Sequence, residues 1–119
     1  MYENLPIFRK AMQLNVTIEE AVRGFSRYHK YSIGMELRQK ARAVIYAIYK
    51  VYFATDKEQA LGALRDCAEE LKIIIYLAQE LKALRDFKQF ELVSQMAREL
   101  ARQSQGWLRS QSSHPSRQG

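Results

Sequence analysis

Basic residues are concentrated in one segment of this chain, where they could bind anions. Residues 23–50 hold seven of the 19 Lys and Arg residues and a single acid, Glu36. The net charge of this segment therefore equals the +6 of the whole chain. Such a block raises the local electrostatic potential and attracts polyanions, above all the phosphates of nucleic acid. The candidate nucleic-acid-binding residues in it are Arg27, Lys30, Arg38, Lys40, Arg42 and Lys50.

Aromatic residues alternate with cations at the start of this segment, where Arg23 to Tyr31 reads RGFSRYHKY. Cations contact phosphates and aromatic rings stack on unpaired bases, so the mixture is typical of proteins that bind unpaired nucleic acid. Arg98, Arg102 and Arg109 are further candidates, because spacings of four and seven residues place them on one helical stripe. No base-reading motif such as a zinc finger accompanies them, so we expect weak sequence discrimination.

Residues that could catalyse a reaction are few and badly spaced. His29 and His114 are the only histidines, and the chain has neither a Glu-x-x-His repeat nor a glycine-rich phosphate loop. Adjacent carboxylates such as Glu69 and Glu70 do not face each other on a helix. We expect Cys67 to be a buried structural thiol and not a nucleophile. The sequence thus predicts a protein that is not an enzyme and has no metal site and no cofactor.

Apolar periodicity predicts the elements that must position these side chains. A first helix begins near Pro6 and ends at Gly24, because its apolar residues recur at steps of four and three. After a polar and aromatic loop, a second helix runs from Ile33 to Phe53. The expected buried positions are Ile7, Ala11, Leu14, Ile18, Ala21 and Phe25, then Leu37, Ala41, Val44, Ile48 and Val51.

Two capping signals mark the remaining helices. Thr55 and Glu58 match a capping box, which starts a third helix near Asp56, and Asp86 with Gln89 forms a weaker cap before a fourth. The expected buried positions are Leu64, Cys67, Leu71, Ile74, Ala78 and Leu81, then Phe90, Val93, Ala97, Leu100, Ser104 and Trp107. Short connections between the last three helices predict an all-α fold, an antiparallel up-down-up-down four-helix bundle over residues 1–110. Residues 111–119 are expected to form a disordered polar tail.

The second and third helices have more apolar surface than one core needs. Tyr46, Tyr49 and Phe53 lie roughly 100–160° from the core face of their helix at about 100° per residue. Ile73 and Leu77 lie well away from the buried seam of the third helix. Two interpretations stay open, a wide core with a few exposed tyrosines or a subunit interface made by these five residues. The interface is favoured, and with it a homo-oligomer.

Length and composition bound the class of protein. At 119 residues the chain is expected to form one domain, and its single cysteine excludes an internal disulfide. No stretch reaches the roughly 18 apolar residues of a membrane span, and the N-terminal residues lack the pattern of a signal peptide. We therefore expect a soluble cytoplasmic protein with no membrane partner.

Three stretches resemble the accessory variability determinant proteins of diversity-generating retroelements. Residues 25–38, which read FSRYHKYSIGMELR, are similar to the loop and second-helix start of that family. Residues 70–82 are similar to its third helix, and residues 106–108, Gly-Trp-Leu, are similar to its closing motif. Membership of a wider superfamily also stays open. That superfamily includes the four-helix proteins encoded in intervening sequences of bacterial large-subunit ribosomal RNA genes.

The resemblance implies a non-catalytic four-helix subunit that assembles into a ring-like homopentamer. It also implies binding to a retroelement reverse transcriptase and to RNA, with DNA left open as a second target, in support of mutagenic copying of a template RNA. Two other functions fit the residues. One is a protein-only interaction module whose basic face matches an acidic partner, and the other is a ribosomal-RNA-associated protein of the wider superfamily.

Overall fold

The computed structural model describes residues 2–112, and nearly all of them are helical. A 3₁₀ turn at Tyr2–Asn4 precedes α1 (Pro6–Arg23), α2 (Arg27–Lys30), α3 (Ile33–Phe53), α4 (Lys57–Glu80) and α5 (Phe87–Ser112). No strand occurs among these residues. The helices form a compact body of 55 × 21 × 20 Å. The predicted all-α class is thereby confirmed, and the second predicted helix has the bounds of α3.

Each of the four long helices packs mainly on two others. α3 packs on α1 and α4, while α5 packs on α4 and α1. Neither α3 with α5 nor α1 with α4 forms an extensive contact within the described part of the chain. The helices enclose one apolar core, whose fully buried members include Leu14, Ile48, Leu64, Ile75 and Leu100. Residues on the outer sides of α3 and α5 therefore face different directions.

The buried faces predicted for α1 and α3 are confirmed at every position from Ile7 to Phe25 and from Leu37 to Val51 that the periodicity selected. The prediction for α4 is partly wrong. Ala68 is buried there, whereas the adjacent Cys67 is only half-buried.

The rotation of α4 differs from the prediction because its apolar residues come in consecutive runs. Ile73, Ile74 and Ile75 are adjacent, so two helical registers were equally apolar. In the fold Ile75 is buried, Ile74 is half-buried and Leu81 is exposed. Packing against α3 and α5 selects the register that the periodicity left open.

The two predicted caps have different outcomes. Asp56 caps α4, because its Oδ1 accepts a hydrogen bond from the backbone N–H of Gln59 at 3.1 Å. The predicted cap at Thr55 was therefore one residue too early. The second cap is confirmed, since Asp86 Oδ1 accepts from the N–H of Gln89 at 2.8 Å, and Gln89 Oε1 in turn accepts from the N–H just before Asp86. The hydrogen bond from the Gln89 backbone lowers the pKa of Asp86.

The corner between α1 and α3 is more ordered than the predicted loop. Ser26 Oγ accepts from the His29 backbone N–H at 3.4 Å and starts the single turn α2, while Phe25 is buried beneath it. Gly34 lies close against this corner. A Cβ there would lie 2.8 Å from Val22 Cγ1 and 3.0 Å from the His29 carbonyl oxygen. The start of α3 can approach α1 this closely because residue 34 has no side chain.

The end of the chain is only partly described. Helix α5 ends at Ser112, and residues 113–119 lie outside the described residues, as does His114 with them. The predicted disordered tail at 111–119 therefore starts too early, because residues 111 and 112 belong to α5, and for residues 113–119 it stays a prediction.

Candidate nucleic-acid interface

The nine predicted cations are distributed over three helices. Arg27 and Lys30 lie on α2, Arg38, Lys40, Arg42 and Lys50 on α3, and Arg98, Arg102 and Arg109 on α5. α3 and α5 make no extensive contact with each other among the described residues, so the last three residues and the four on α3 belong to helices that are not packed neighbours. The nine candidates therefore fall into two groups, one on α2 and α3 and one on α5.

Two of the α3 cations are neutralised in part by an acid from α1. Glu19 Oε2 accepts a hydrogen bond from Arg38 Nε at 2.9 Å and another from Arg42 Nη2 at 2.8 Å. The Arg38 hydrogen bond, reinforced by the charges of both guanidiniums, lowers the pKa of Glu19 against the opposing effect of its partial burial. Glu19, Arg38 and Arg42, which we call the Glu19 cluster, thus carry one net positive charge at neutral pH.

Lys40 faces another helix. Its Nζ donates to Glu70 Oε1 of α4 at 3.0 Å, and this hydrogen bond raises the pKa of Lys40. Lys50, three turns further along α3, is exposed. Within the described side chains no acid lies at ion-pair distance from Lys50. The two lysines of α3 therefore differ in how freely they can meet a phosphate.

The predicted stripe on α5 is exposed at all three positions, Arg98, Arg102 and Arg109. Arg102 forms a close ion pair with Glu99 one turn earlier, which raises the pKa of Arg102 and lowers that of Glu99. Gln103 Nε2 also donates to Glu99, at 3.2 Å. No described acid lies within ion-pair distance of Arg98 or Arg109. These two arginines are the free cations of the stripe.

The single turn α2 presents cations and aromatic rings side by side. We call Arg27, Tyr28, Lys30 and Tyr31 the basic corner. Tyr28 and Tyr31 are 78% and 66% exposed, the highest fractions among the large hydrophobic side chains that the structure describes. Neither Arg27 nor Lys30 has an acid within ion-pair distance among the described residues. This surface offers phosphate contacts beside rings with open faces, which suits unpaired nucleic acid.

The five predicted interface residues are all exposed in the single chain, with exposed fractions between 43% for Leu77 and 63% for Tyr46. Sequence reasoning missed Tyr2, which packs on this surface. Its ring centroid lies 5.3 Å from that of Tyr49 and 6.0 Å from that of Phe53. No periodicity pointed to Tyr2, because it precedes α1. The N-terminal turn thus covers one end of the exposed aromatic stripe.

A surface groove runs between α3 and the first half of α4. Its volume is about 730 Å³, and we call it the α3–α4 groove. Its lining combines small side chains with larger ones and includes Ala43, Tyr46, Ala47, Lys50, Phe53, Ala60, Ala63 and Cys67. Burial raises the pKa of the Cys67 thiol, and the negative charge of Glu70 adds to this effect. The thiol is half-buried, which corrects the predicted full burial, and its raised pKa favours the protonated form over the nucleophilic thiolate.

Metal sites and membrane-spanning helices were also sought among the described residues. No group of three or more His, Cys, Asp or Glu side chains in residues 2–110 is arranged to hold a metal ion. None of the helices described combines the length and apolarity that crossing a membrane requires. Comparison with known proteins adds no assignment, since neither a protein-family model nor a curated protein matches the chain.

Proposed function

We propose that this chain is a non-catalytic accessory protein that assembles with copies of itself and binds nucleic acid. In this proposal it acts beside a reverse transcriptase and supports mutagenic copying of a template RNA, as do the accessory variability determinant proteins that its sequence resembles. The four long helices form an antiparallel up-down-up-down bundle, and the subunits close into a homopentameric ring.

The contacts between α1 and α3 support the antiparallel arrangement. Tyr2, just before α1, lies 5.3 Å from Tyr49 near the end of α3, whereas Glu19 near the end of α1 binds Arg38 near the start of α3. The connections from α3 to α4 and from α4 to α5 span only residues 54–56 and 81–86. Connections this short favour antiparallel neighbours for these pairs too.

The observation that carries the nucleic-acid proposal is the basic corner. Arg27 and Lys30 are not paired with any described acid, and they flank the two most exposed aromatic side chains of the described chain, Tyr28 and Tyr31. A solvated cation and an exposed tyrosine are each ordinary on a surface. Their alternation on one helical turn favours a ligand that is anionic and has flat faces, which describes single-stranded RNA or DNA.

The test is RNA binding by the double variant Arg27→Ala/Lys30→Ala across a series of salt concentrations. Each lost phosphate contact should flatten the log–log salt dependence by about 0.7–0.9. The matched control is Arg65→Ala/Lys72→Ala, which removes the same charge from α4, where both cations pair with neighbouring acids. The control should bind almost as the parent does.

Removing the aromatic ring of Tyr28 tests the same surface independently of its charges. Tyr28→Ala should weaken binding with little change in salt slope, because base stacking on an aromatic ring contributes about 1–3 kcal/mol and releases no counterions. If Tyr28→Ala changes the salt slope but not the part of the RNA affinity that is independent of salt, the ring does not stack on a base.

A protein-only interaction module is the second candidate. It is favoured by the three cations Arg38, Lys40 and Arg42, which already bind acids within the chain. It becomes the better account if the parent binds neither RNA nor DNA at low salt. The reverse transcriptase partner has a separate test. A reverse transcriptase gene with paired template and variable repeats beside the gene for this chain would support it, and their absence would favour a ribosomal-RNA-associated protein.

A further inference from the structure

Two neighbouring helices of this chain, α3 and α4, carry opposite net charge. Helix α3 has four cations and one acid, and α4 has five acids and three cations. Each helix also exposes apolar side chains, Tyr46 and Phe53 on α3 and Ile73 and Leu77 on α4. Apolar surface flanked by opposite charge on two faces of one molecule favours a contact between two copies.

The spacing of the residues on the two faces also matches. Ile73, Leu77 and Glu80 follow each other at steps of four and three on α4, so they form one ridge, which we call the α4 ridge. Tyr46, Lys50 and Phe53 have the same steps on α3, and all three line the α3–α4 groove. One triplet ends in an acid and the other has a cation at its centre.

Both charged members of these triplets are available. Glu80 and Lys50 are exposed, and within the described side chains neither has an oppositely charged partner at ion-pair distance. This distinguishes them from Glu70, Glu69 and Asp66 of the same helix, which bind cations of their own chain. The acid and the cation left over inside one chain can pair between two.

We propose that the α4 ridge of one copy docks in the α3–α4 groove of the next. In this contact Ile73 and Leu77 cover the small side chains of the groove between Tyr46 and Phe53, and Glu80 pairs with Lys50. The inference rests on the proposed self-assembly and assigns the faces that make it.

The contact is head-to-tail, because the two surfaces are different. The groove uses the first half of α4 and the ridge uses its last turns, so one chain can engage two neighbours at once. Contacts of this kind generate closed rings when the rotation between copies closes, and filaments when it does not. A symmetric face-to-face dimer would instead pair each surface with its own copy.

Complementary single variants separate these arrangements. Tyr46→Glu disables the groove and Ile73→Glu disables the ridge, while both positions are exposed, so the chain should stay folded. By sedimentation, the parent should be several times its 13.9 kDa chain mass and each variant alone a monomer. An equimolar mixture should form dimers, because one intact groove meets one intact ridge. Leu92→Glu, at another exposed apolar position, on α5, should assemble as the parent does.

Two further readouts use the charge pair and the single cysteine. Lys50→Glu should weaken assembly, and Lys50→Glu/Glu80→Lys should restore it by reversing both charges. Cys67 lines the groove, so its alkylation by a small maleimide should slow when the parent assembles. The Ile73→Glu variant alone, at the same concentration, should show no such slowing.

Different failures have different meanings. A parent that is monomeric at micromolar concentration would overturn both this contact and the proposed self-assembly. Two results would overturn only the head-to-tail contact. In the first, the parent assembles and Tyr46→Glu or Ile73→Glu alone assembles equally well. In the second, the parent assembles but the mixture of the two variants stays monomeric. RNA binding is measured on the same samples, so its loss or retention is read separately from assembly.

Discussion

Replacing Glu19 with glutamine would show whether the α3 arginines can reach phosphate. In the parent one carboxylate oxygen accepts hydrogen bonds from Arg38 at 2.9 Å and Arg42 at 2.8 Å. Glutamine keeps the size of the side chain and removes its charge. The Glu19 cluster then gains one positive charge, and both guanidiniums lose their carboxylate partner. We expect Glu19→Gln to bind RNA more tightly and with a steeper salt dependence than the parent.

The size of the change in salt dependence follows from the number of arginines that are freed to contact phosphate. If both arginines gain a phosphate contact, the log–log salt slope should steepen by about 1.4–1.8, at about 0.7–0.9 for each contact. The cost in folding stability should be small. All three side chains are more than a third exposed, so solvent screens the two ion pairs, and their loss should cost about 1 kcal/mol or less. The gain in binding should therefore not be masked by unfolding.

The same substitution changes how stability depends on pH. The pKa of Glu19 is lower in the folded chain than in the unfolded one, chiefly because Arg38 donates a hydrogen bond to it. Its contribution is therefore fully present above the unfolded pKa of about 4.3 and is lost as the pH falls through the folded value. Urea denaturation should show the advantage of the parent over Glu19→Gln at pH 7 and its disappearance in strong acid.

The assay is fluorescence anisotropy of a labelled single-stranded RNA, titrated with protein at salt concentrations from about 50 to 200 mM, the range over which phosphate contacts change affinity most visibly. Glu20→Gln is the matched control, because Glu20 is exposed on the same helix and has no described base at ion-pair distance. It changes the net charge equally without releasing an arginine. Equal slopes and affinities for Glu19→Gln and Glu20→Gln would refute the reasoning and remove Arg38 and Arg42 from the interface.

Three further predictions concern stability, each read by urea denaturation. Gly34→Ala should destabilise the chain by about 1–3 kcal/mol, because the added Cβ would lie 2.8 Å from Val22 Cγ1. Gly62→Ala should instead stabilise the chain by up to about 1 kcal/mol, because a Cβ at this helical position meets nothing within 4 Å. Equal effects of the two substitutions would contradict the close packing at Gly34. Lys82→Gly should stabilise by about 0.5–1 kcal/mol, because Lys82, the residue after the C-cap of α4, has a φ of 60°. No gain would mean that its backbone is unstrained. Lys57→Met should cost about 1 kcal/mol, since Lys57 Nζ donates to two carbonyls at the end of α3, at 2.8 and 2.9 Å; an unchanged midpoint would show that water replaces both bonds.

The helices that the sequence predicted best are those with a single register of aliphatic residues. α1 and α3 each have one aliphatic face at steps of four and three, and the second apolar stripe of α3 is aromatic, so their buried positions and the bounds of α3 follow from pattern alone. α4 does not have this property, because Ile73 to Ile75 are consecutive and only packing decides which of them is buried. At its start, Thr55 and Asp56 are both competent caps one residue apart, and the local sequence does not separate them.

The candidate site was predicted in composition but not in electrostatics. Counting charges along residues 23–50 finds one acid, Glu36. Folding brings two more acids to this segment, Glu19 from α1 and Glu70 from α4, and they bind three of its cations. Charge patterning along a chain cannot reveal such pairs, because they join residues 19 to 30 positions apart.

The pairing inside the chain bears on both proposals together. If the α4 ridge of a neighbour covers the α3–α4 groove, Lys50 contacts protein and not phosphate, and the Glu19 cluster is left with one net charge. Of the nine predicted cations, those that remain free are then Arg27 and Lys30 of the basic corner and Arg98 and Arg109 of α5, which belong to neither docking face. Assembly would leave them in solvent and repeat them around the ring, so RNA affinity should rise with assembly although no new contact is made within a chain. Monomeric Ile73→Glu should therefore keep the salt slope of one basic corner while binding RNA more weakly than the parent; equal affinity in monomer and ring would separate RNA binding from assembly.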